Sequence, residues 1–220
     1  MKAKLLFLFL WFSCHALYAQ QSDLNSEFSA QTVPDSVWML MQGKTYTPNP
    51  HIGRDDLRYV SVLHWGADSL AHTGHLVCNR LIADTLVSIF RQLYEAHYPI
   101  ERMELPDVYE ADDERQMRAN NTSCFCYRAV AGTATLSLHA RGLAIDLNPL
   151  YNPYVKVRPD GIRVIQPATA EPYTHRRRSF PFKIDRHDLA YRLFTQHGFT
   201  WGGDWHSLKD YQHFEYHVAE

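Results

Sequence analysis

The sequence predicts an α+β fold, a single domain in which helices pack on one side of a central antiparallel sheet. Two strand-like runs, 58–65 and 75–82, are separated by turn-forming glycine, aspartate and threonine residues, which is typical of a hairpin. Apolar side chains then recur at helical spacing over 86–94. The 220 residues are 45% hydrophobic and 21% charged, so a disordered or fibrous chain is excluded.

Two helices follow from the spacing of apolar residues and from residues that favour helix ends. The first contains the periodic run described above, with Asp84 as its N-cap. The second covers 186–197, with Asp185 as its N-cap. Gly198 is expected to end that helix in a left-handed conformation.

The N-terminus has the pattern of an export signal. Two lysines precede the apolar run 5–12, and Ala19 stands where cleavage would fall, so 1–19 is predicted to be a cleaved signal peptide. The apolar run is well short of the ~20 residues that a membrane span requires. A lipoprotein signal with Cys14 as the lipidated residue is the alternative, although bulky aromatic residues precede that cysteine.

The rest of the chain divides into a leader with a short helix, 20–56, and one functional domain, 57–220. We expect a periplasmic or secreted monomer without a transmembrane segment. The formal charge of −2 is too near neutral to indicate a nucleic-acid partner. An oxidising compartment permits a disulfide between Cys78 and either Cys124 or Cys126, and three buried thiols are the alternative.

Between the predicted helices lies a segment with metal-binding residue types. If 143–147 is a strand, Asp146 points away from its apolar face. Gly142 supplies a bend that can bring His139 back over Asp146, and Ser137 shares the face of His139 if that stretch is extended. One imidazole and one carboxylate make half of a metal site.

The C-terminal segment supplies the other half. In a strand that starts at His213, apolar residues alternate with His213, Glu215 and His217, which form a polar face. Asp210 lies three residues earlier and needs a bend to reach the same centre. With the first segment this predicts two imidazoles and one carboxylate around a tetrahedral zinc ion, with a fourth position open for water.

These motifs together resemble a known family. Ser-x-His-x6-Asp at 137–146, Gly-Gly-Asp-Trp at 202–205 and Asp-x-x-His at 210–213 are similar to the zinc D-alanyl-D-alanine metallopeptidases, in particular the branch with the bacteriophage L-alanyl-D-glutamate endolysins. That family shares its fold superfamily with lysostaphin and hedgehog. The resemblance covers about 57–218 and includes Asp112-Asp113, Asn120-Asn121-Thr122-Ser123, Phe125 and Tyr127-Arg128.

The resemblance implies roles for five residues. His139, Asp146 and His213 would be the zinc ligands, Asp210 the catalytic base, and Arg128 the cation that steadies the substrate carbonyl. The implied enzyme is a zinc metallopeptidase acting on the stem peptide of bacterial peptidoglycan. The chain departs from the family by having Gln and Cys at positions 116 and 126, where relatives tend to have Ser and Asn.

An aspartate at 210 favours the branch that cuts L-Ala-D-Glu bonds, because by the same resemblance the carboxypeptidase branch more often uses glutamate as its base. D-alanyl-D-alanine carboxypeptidase is the alternative enzyme. The alternative from another class is a non-catalytic zinc-containing module that binds the wall. The acid at 210 argues against that module, since a structural zinc site has no use for it.

Several neighbours have two interpretations. Ser137, Glu215 or His217 would orient a ligand imidazole. Trp205 either lines a substrate groove or anchors a turn. His72 with His75 lacks a carboxylate at metal spacing and is interpreted as structural. The basic run 175–178 is interpreted as a solvated loop, with attraction to anionic wall polymer as the alternative.

Overall fold

The computed structural model describes residues 26–130 and 133–218, and the predicted signal peptide lies outside them. The α+β class is confirmed, but the expected single central sheet is not found among these residues. Three separate three-stranded antiparallel sheets take its place. Several strands have only two to four residues.

The first sheet contains the hairpin that the sequence predicts. Strand β1 covers Ser29–Thr32, β2 covers Leu57–Trp65 and β3 covers Ala71–Asn79, in the order β1-β2-β3. The second strand of the hairpin starts four residues earlier than the sequence suggests, because pairing continues to the short turn. His64 lies directly opposite His72 in this register.

The other two sheets hold the segments with the candidate metal ligands. The second sheet has the order β4-β9-β7, and the third has the order β6-β5-β8. The strands of these sheets are β4 Ala144–Asp146, β5 Tyr154–Val157, β6 Arg163–Gln166, β7 Phe199–Trp201, β8 Lys209–Asp210 and β9 His213–Tyr216.

Four α-helices are described: α1 Asp35–Met41, α2 Ala83–Glu95, α3 Asp113–Arg118 and α4 Leu189–Gln196. Helix α2 buries the apolar residues whose spacing predicted it against the first sheet. Its N-cap is Ile82 and no side chain caps it, so the placement of Asp84 as N-cap is wrong.

The predicted start of the last helix is also wrong. Helix α4 begins three residues later than expected because Asp188, rather than Asp185, accepts the hydrogen bond of the Ala190 amide, at 2.8 Å. The Asp185 carboxylate accepts the His187 amide in a turn just before the helix. Gly198 follows the helix with φ +85, as predicted.

The main core lies between α2, α4 and the first two sheets, and its largest fully buried side chains include Phe90, Phe194 and Phe214. Cys78, Cys124 and Cys126 are buried free thiols, so of the two alternatives the structure shows the one without a bridge. Among the described residues there is no helix of the length and apolarity needed to cross a membrane.

Candidate active site

A tight turn places His139. The residue opens the 3-10 turn His139–Arg141, and Gly142 ends this turn with φ +65. A Cβ at Gly142 would stand 2.6 Å from the backbone nitrogen of Asn79, and the Asn79 amide donates a hydrogen bond to the Gly142 carbonyl at 2.8 Å. Glycine is therefore required twice, by the left-handed backbone and by the close approach of strand β3.

Strand pairing places the other two residues. Asp146 and His213 are directly opposite each other in the β4-β9 ladder, so their side chains project from the same face. Asp146 also pairs with Ser123 on its other side through an isolated bridge. The carboxylate is thus held at the centre of three backbone segments, although His213 is 67 residues away along the chain.

The donor atoms of three residues converge. Asp146 Oδ2 lies 3.2 Å from His139 Nε2, Asp146 Oδ1 lies 3.0 Å from His213 Nδ1, and the two ring nitrogens are 3.1 Å apart. The two imidazoles are 4% and 7% exposed, so water does not separate them from their neighbours. Among the residues that the structure describes, this is the group of three His, Cys, Asp or Glu side chains arranged to hold a metal ion.

The outer nitrogen of each imidazole has its own partner. His139 Nδ1 lies 2.6 Å from the Cys124 carbonyl oxygen, and His213 Nε2 lies 3.1 Å from Glu215 Oε2. Such partners orient ligand imidazoles and set which nitrogen is protonated. The other Glu215 oxygen is 3.0 Å from Nε2 of the exposed His217.

These contacts decide what the cluster fits. A carbonyl oxygen can only accept, so His139 Nδ1 donates to Cys124 and Nε2 presents a lone pair toward the centre. With a neutral ring whose Nε2 donates to Glu215, His213 also presents its Nδ1 lone pair there. Two nitrogen lone pairs and a carboxylate at about 3 Å repel one another unless a positive charge, a proton on His213 or a metal ion, lies among them. The donor set therefore fits zinc, which prefers imidazole and carboxylate ligands.

The pKa shifts of His213 and Asp146 indicate a site that favours positive charge. Burial opposes an imidazolium at His213, but hydrogen bonds to Asp146 and Glu215 outweigh burial and raise its pKa to about 10. Burial likewise opposes ionisation of Asp146, yet the charges and hydrogen bonds of His139 and His213 hold the pKa of this carboxyl well below its usual range. The site thus stabilises a carboxylate beside a cation.

Asp210 sits at the edge of the third sheet, beside the cluster in the second. It pairs with Tyr154 across β8 and β5. A Cβ at Gly202 would stand 2.9 Å from the Asp210 Cβ and 3.3 Å from the His213 Cβ, so the Gly-Gly turn packs directly on both residues. Burial and the nearby charge of Asp146 raise the pKa of Asp210 to about 6, and His213 opposes that rise.

Arg128 is held by an ion pair with Asp113. Its Nε lies 2.7 Å from Asp113 Oδ2, and the other Asp113 oxygen accepts a hydrogen bond from Gln116 Nε2 at 2.9 Å. Burial disfavours the guanidinium, but the charges of Asp113 and Asp146 favour it. Arg128 is therefore influenced by the charge of Asp146, and Gln116, one of the two departures from the family pattern, contacts the carboxylate that pairs with Arg128.

Other predicted neighbours have clear positions. Ser137 Oγ accepts the backbone amide of His139 at 3.2 Å, so it supports the turn rather than the imidazole. Trp205 lies with its ring centre 5.3 Å from that of His213. Trp201 is buried and donates its indole N–H to the Tyr211 carbonyl, which makes it a packing anchor.

The Cys124 carbonyl is the contributor that sequence reasoning missed. A backbone acceptor has no side-chain signature, and the only hint was that residues on both sides of it, 120–123 and Phe125, match the family pattern.

Comparison with known proteins agrees with this site. Residues 131–216 match a family model described as D-alanyl-D-alanine carboxypeptidase, over less than half of the chain. The matched stretch contains His139, Asp146, Asp210 and His213, and Arg128 lies just before it. No curated protein and no solved structure matches the chain. The family match and the convergent cluster indicate a zinc metallopeptidase.

Proposed function

We propose that the protein hydrolyses the stem peptide of bacterial peptidoglycan, at the bond between L-alanine and D-glutamate. The observation that carries this proposal is the convergence of His139, Asp146 and His213 with a half-buried acid, Asp210, beside them. The match to a family of peptidases that act on D-alanyl-D-alanine supports a wall peptide as the substrate. Export to the periplasm or beyond, by the signal peptide, belongs to the same proposal.

Each part of the site has a defined task in this reaction. Zinc held by the three ligands would lower the pKa of a bound water toward ~7 and polarise the scissile carbonyl. Asp210 accepts the proton of the attacking water and returns it to the leaving amine. A carboxyl whose pKa is raised to about 6 suits both transfers near neutral pH.

Arg128 stabilises the negative charge that develops on the carbonyl oxygen. Loss of one such preorganised partner commonly costs ~10²–10³ in rate. The contact with Asp113 keeps the guanidinium in place before substrate arrives. Trp205 packs on the ring of His213 and offers an aromatic wall to the substrate.

A D-alanyl-D-alanine carboxypeptidase is the second candidate, and the description of the matching family favours it. The aspartate at 210 and the Gly202-Gly203 turn favour the endopeptidase, since those features carry the resemblance to the endolysin branch. The two activities release different products. The carboxypeptidase frees D-alanine, whereas the endopeptidase leaves a new D-glutamate N-terminus.

The test is digestion of purified peptidoglycan by the zinc-loaded protein, with products identified by mass spectrometry. We expect peptides that start with D-glutamate; free D-alanine alone would establish the second candidate. Asp210→Asn should retain one zinc per chain and lose the activity. Asp204→Asn is the matched control, because the Asp204 carboxylate pairs with Arg186 in the neighbouring turn.

If neither the wild type nor Asp210→Asn digests peptidoglycan although both bind zinc, the result would instead favour a module that binds the wall without cutting it.

A further inference from the structure

The basic run 175–178 does not behave as one solvated loop. Arg177 and Arg178 are exposed, but Arg176 is turned inward, and for it the interpretation as a solvated residue is wrong. Burial lowers the pKa of Arg176 to about 10, so the guanidinium remains charged at neutral pH. The charge of Asp185 favours this guanidinium, but among the described residues no carboxylate makes a direct ion pair with it. A half-buried charge without a direct ion pair needs compensation from hydrogen-bond acceptors.

Backbone and amide oxygens supply that compensation. Nη1 donates to the carbonyls of Tyr151 and Tyr173, at 2.8 and 3.3 Å, and Nη2 donates to Asn152 Oδ1 and the Ile184 carbonyl, at 3.0 and 2.6 Å. All four acceptors lie in the segment 149–184, which we call the strap. The guanidinium of Arg176 thus connects the start of the strap, at Tyr151 and Asn152, with its end at Ile184.

The guanidinium also lies against two aromatic rings, those of Phe180, at 5.1 Å, and of Tyr211. The Arg176 Cζ lies 4.3 Å from the centre of the Tyr211 ring, the residue immediately after Asp210. The strap touches this segment twice more, because the Tyr211 amide donates to Pro153 and Tyr154 pairs with Asp210. Strand β8 has only two residues, and the strap holds it from one side while the Gly202-Gly203 turn packs on Asp210.

We propose that Arg176 is a positioning residue: through the ring of Tyr211 it fixes strand β8 and with it the carboxylate of Asp210. This inference rests on the proposed function, in which Asp210 transfers the proton. Lysine cannot replace the arginine, since an ammonium neither stacks on the ring nor reaches four acceptors in one plane.

The test compares Arg176→Lys with Arg177→Lys, a matched change at the exposed neighbour, in the full zinc-loaded protein. Hydrolysis of a synthetic stem peptide gives kcat and KM. Misplacing a reacting group by ~1 Å costs up to ~10²-fold in rate, so we expect kcat of Arg176→Lys to fall by about 10- to 10²-fold with KM and zinc content unchanged. Arg177→Lys should match the wild type. An unchanged kcat, or a fall that follows lost zinc, would overturn the inference.

A second pair of variants covers the case in which Arg176→Lys fails to fold. Tyr211→Leu removes the stacked ring and should lower kcat as Arg176→Lys does, whereas Tyr211→Phe keeps the ring face and should retain kcat. Equal kcat values for the two Tyr211 variants would contradict the inference.

Hydrogen exchange separates this inference from the proposed function. If the wild type cuts no stem peptide, the proposed function fails, but amides 209–212 still report the coupling. They should exchange faster in Arg176→Lys than in Arg177→Lys. Equal exchange in the two variants would overturn the positioning role by itself.

Discussion

In the part of the chain that the structure describes, two places bring two histidines and an aspartate together across paired strands. In one, Asp146 faces His213 and His139 reaches both. In the other, His64 faces His72 near the tip of the first hairpin, and Asp68 lies 2.9 Å from His72. The hairpin turn folds Asp68 back onto His72, but among the described residues this cluster is not a group of three whose donor atoms lie close enough to share a metal ion.

The arrangement of the rings separates the two clusters. His139 and His213 meet edge to face, with ring centres 5.0 Å apart and two nitrogens turned to one centre. His64 and His72 stack at 5.7 Å and present faces to each other, and the side chains of Asp68 and His72 are about half exposed. A metal centre thus depends on buried donors whose outer atoms are held, and residue types alone do not make one.

The largest expected difference is in zinc binding. Asp146→Asn removes the charge that two imidazoles share, so we expect loss of stoichiometric zinc from the dialysed and reloaded protein. Asp68→Asn should leave one zinc per chain. Zinc measured by atomic absorption decides between them, and loss of zinc from Asp68→Asn would show that the hairpin cluster holds metal.

A smaller effect is expected where only the outer partner changes. Glu215→Gln keeps a hydrogen-bond acceptor beside His213 Nε2 but removes its charge, and such changes typically weaken metal binding 10- to 100-fold. His72→Gln, at the other cluster, should leave the zinc affinity unchanged. Competition with a chelator of known affinity measures both. Equal affinities for Glu215→Gln and the wild type would mean that Glu215 does not tune the ligand.

Glycine substitutions compare how rigidly the two clusters are built. Gly142→Ala meets the Asn79 backbone nitrogen and forces a left-handed alanine, which by itself costs about 1–3 kcal/mol of unfolding free energy. A Cβ at Gly66 meets the side chains of Asp68 and His72, which can swing into solvent. We therefore expect Gly142→Ala to be clearly the less stable variant in urea unfolding, and the reverse order would contradict this comparison.

The carboxylates of the two regions should also differ in pH response. A hydrogen bond to His72 lowers the pKa of Asp68, whereas burial raises that of Asp210 to about 6. A base works when ionised, so kcat/KM should be retained above the Asp210 pKa and lost as pH falls through it. The positive charge of bound zinc should lower the Asp210 pKa, so the loss of kcat/KM on the acid side is expected below pH 6. Asp68→Asn should leave that acid-side loss at the same pH. A pH–rate profile measured on both proteins tests this.

The sequence was most informative about the site where its motifs are compact. The spacing of His139 to Asp146 and of Asp210 to His213 predicted which side chains converge, because a glycine turn and strand alternation dictate their faces. Helix α2 and the hairpin β2-β3 were likewise predicted, since both depend on the pattern of neighbouring residues in the sequence.

What escaped prediction depends on contacts between distant segments. Tertiary packing determines three such features: the pairing of Asp113 with Arg128, the inward turn of Arg176 and the division into three sheets. The spacing of residues along the chain carries no information about them. The start of α4 was misplaced because two aspartates, Asp185 and Asp188, can each cap a turn, and only the fold selects the second.

The carbonyl of Cys124 has a consequence for how this protein can vary. Because a peptide oxygen holds His139, every amino acid at position 124 carries the group that orients this ligand. Alanine scanning would score the position as a packing site for a buried thiol and overlook its tie to the metal. What must be preserved is instead the position of the backbone at 124, which is held by the hydrogen bond that the Phe125 amide donates to the Val77 carbonyl at 3.0 Å.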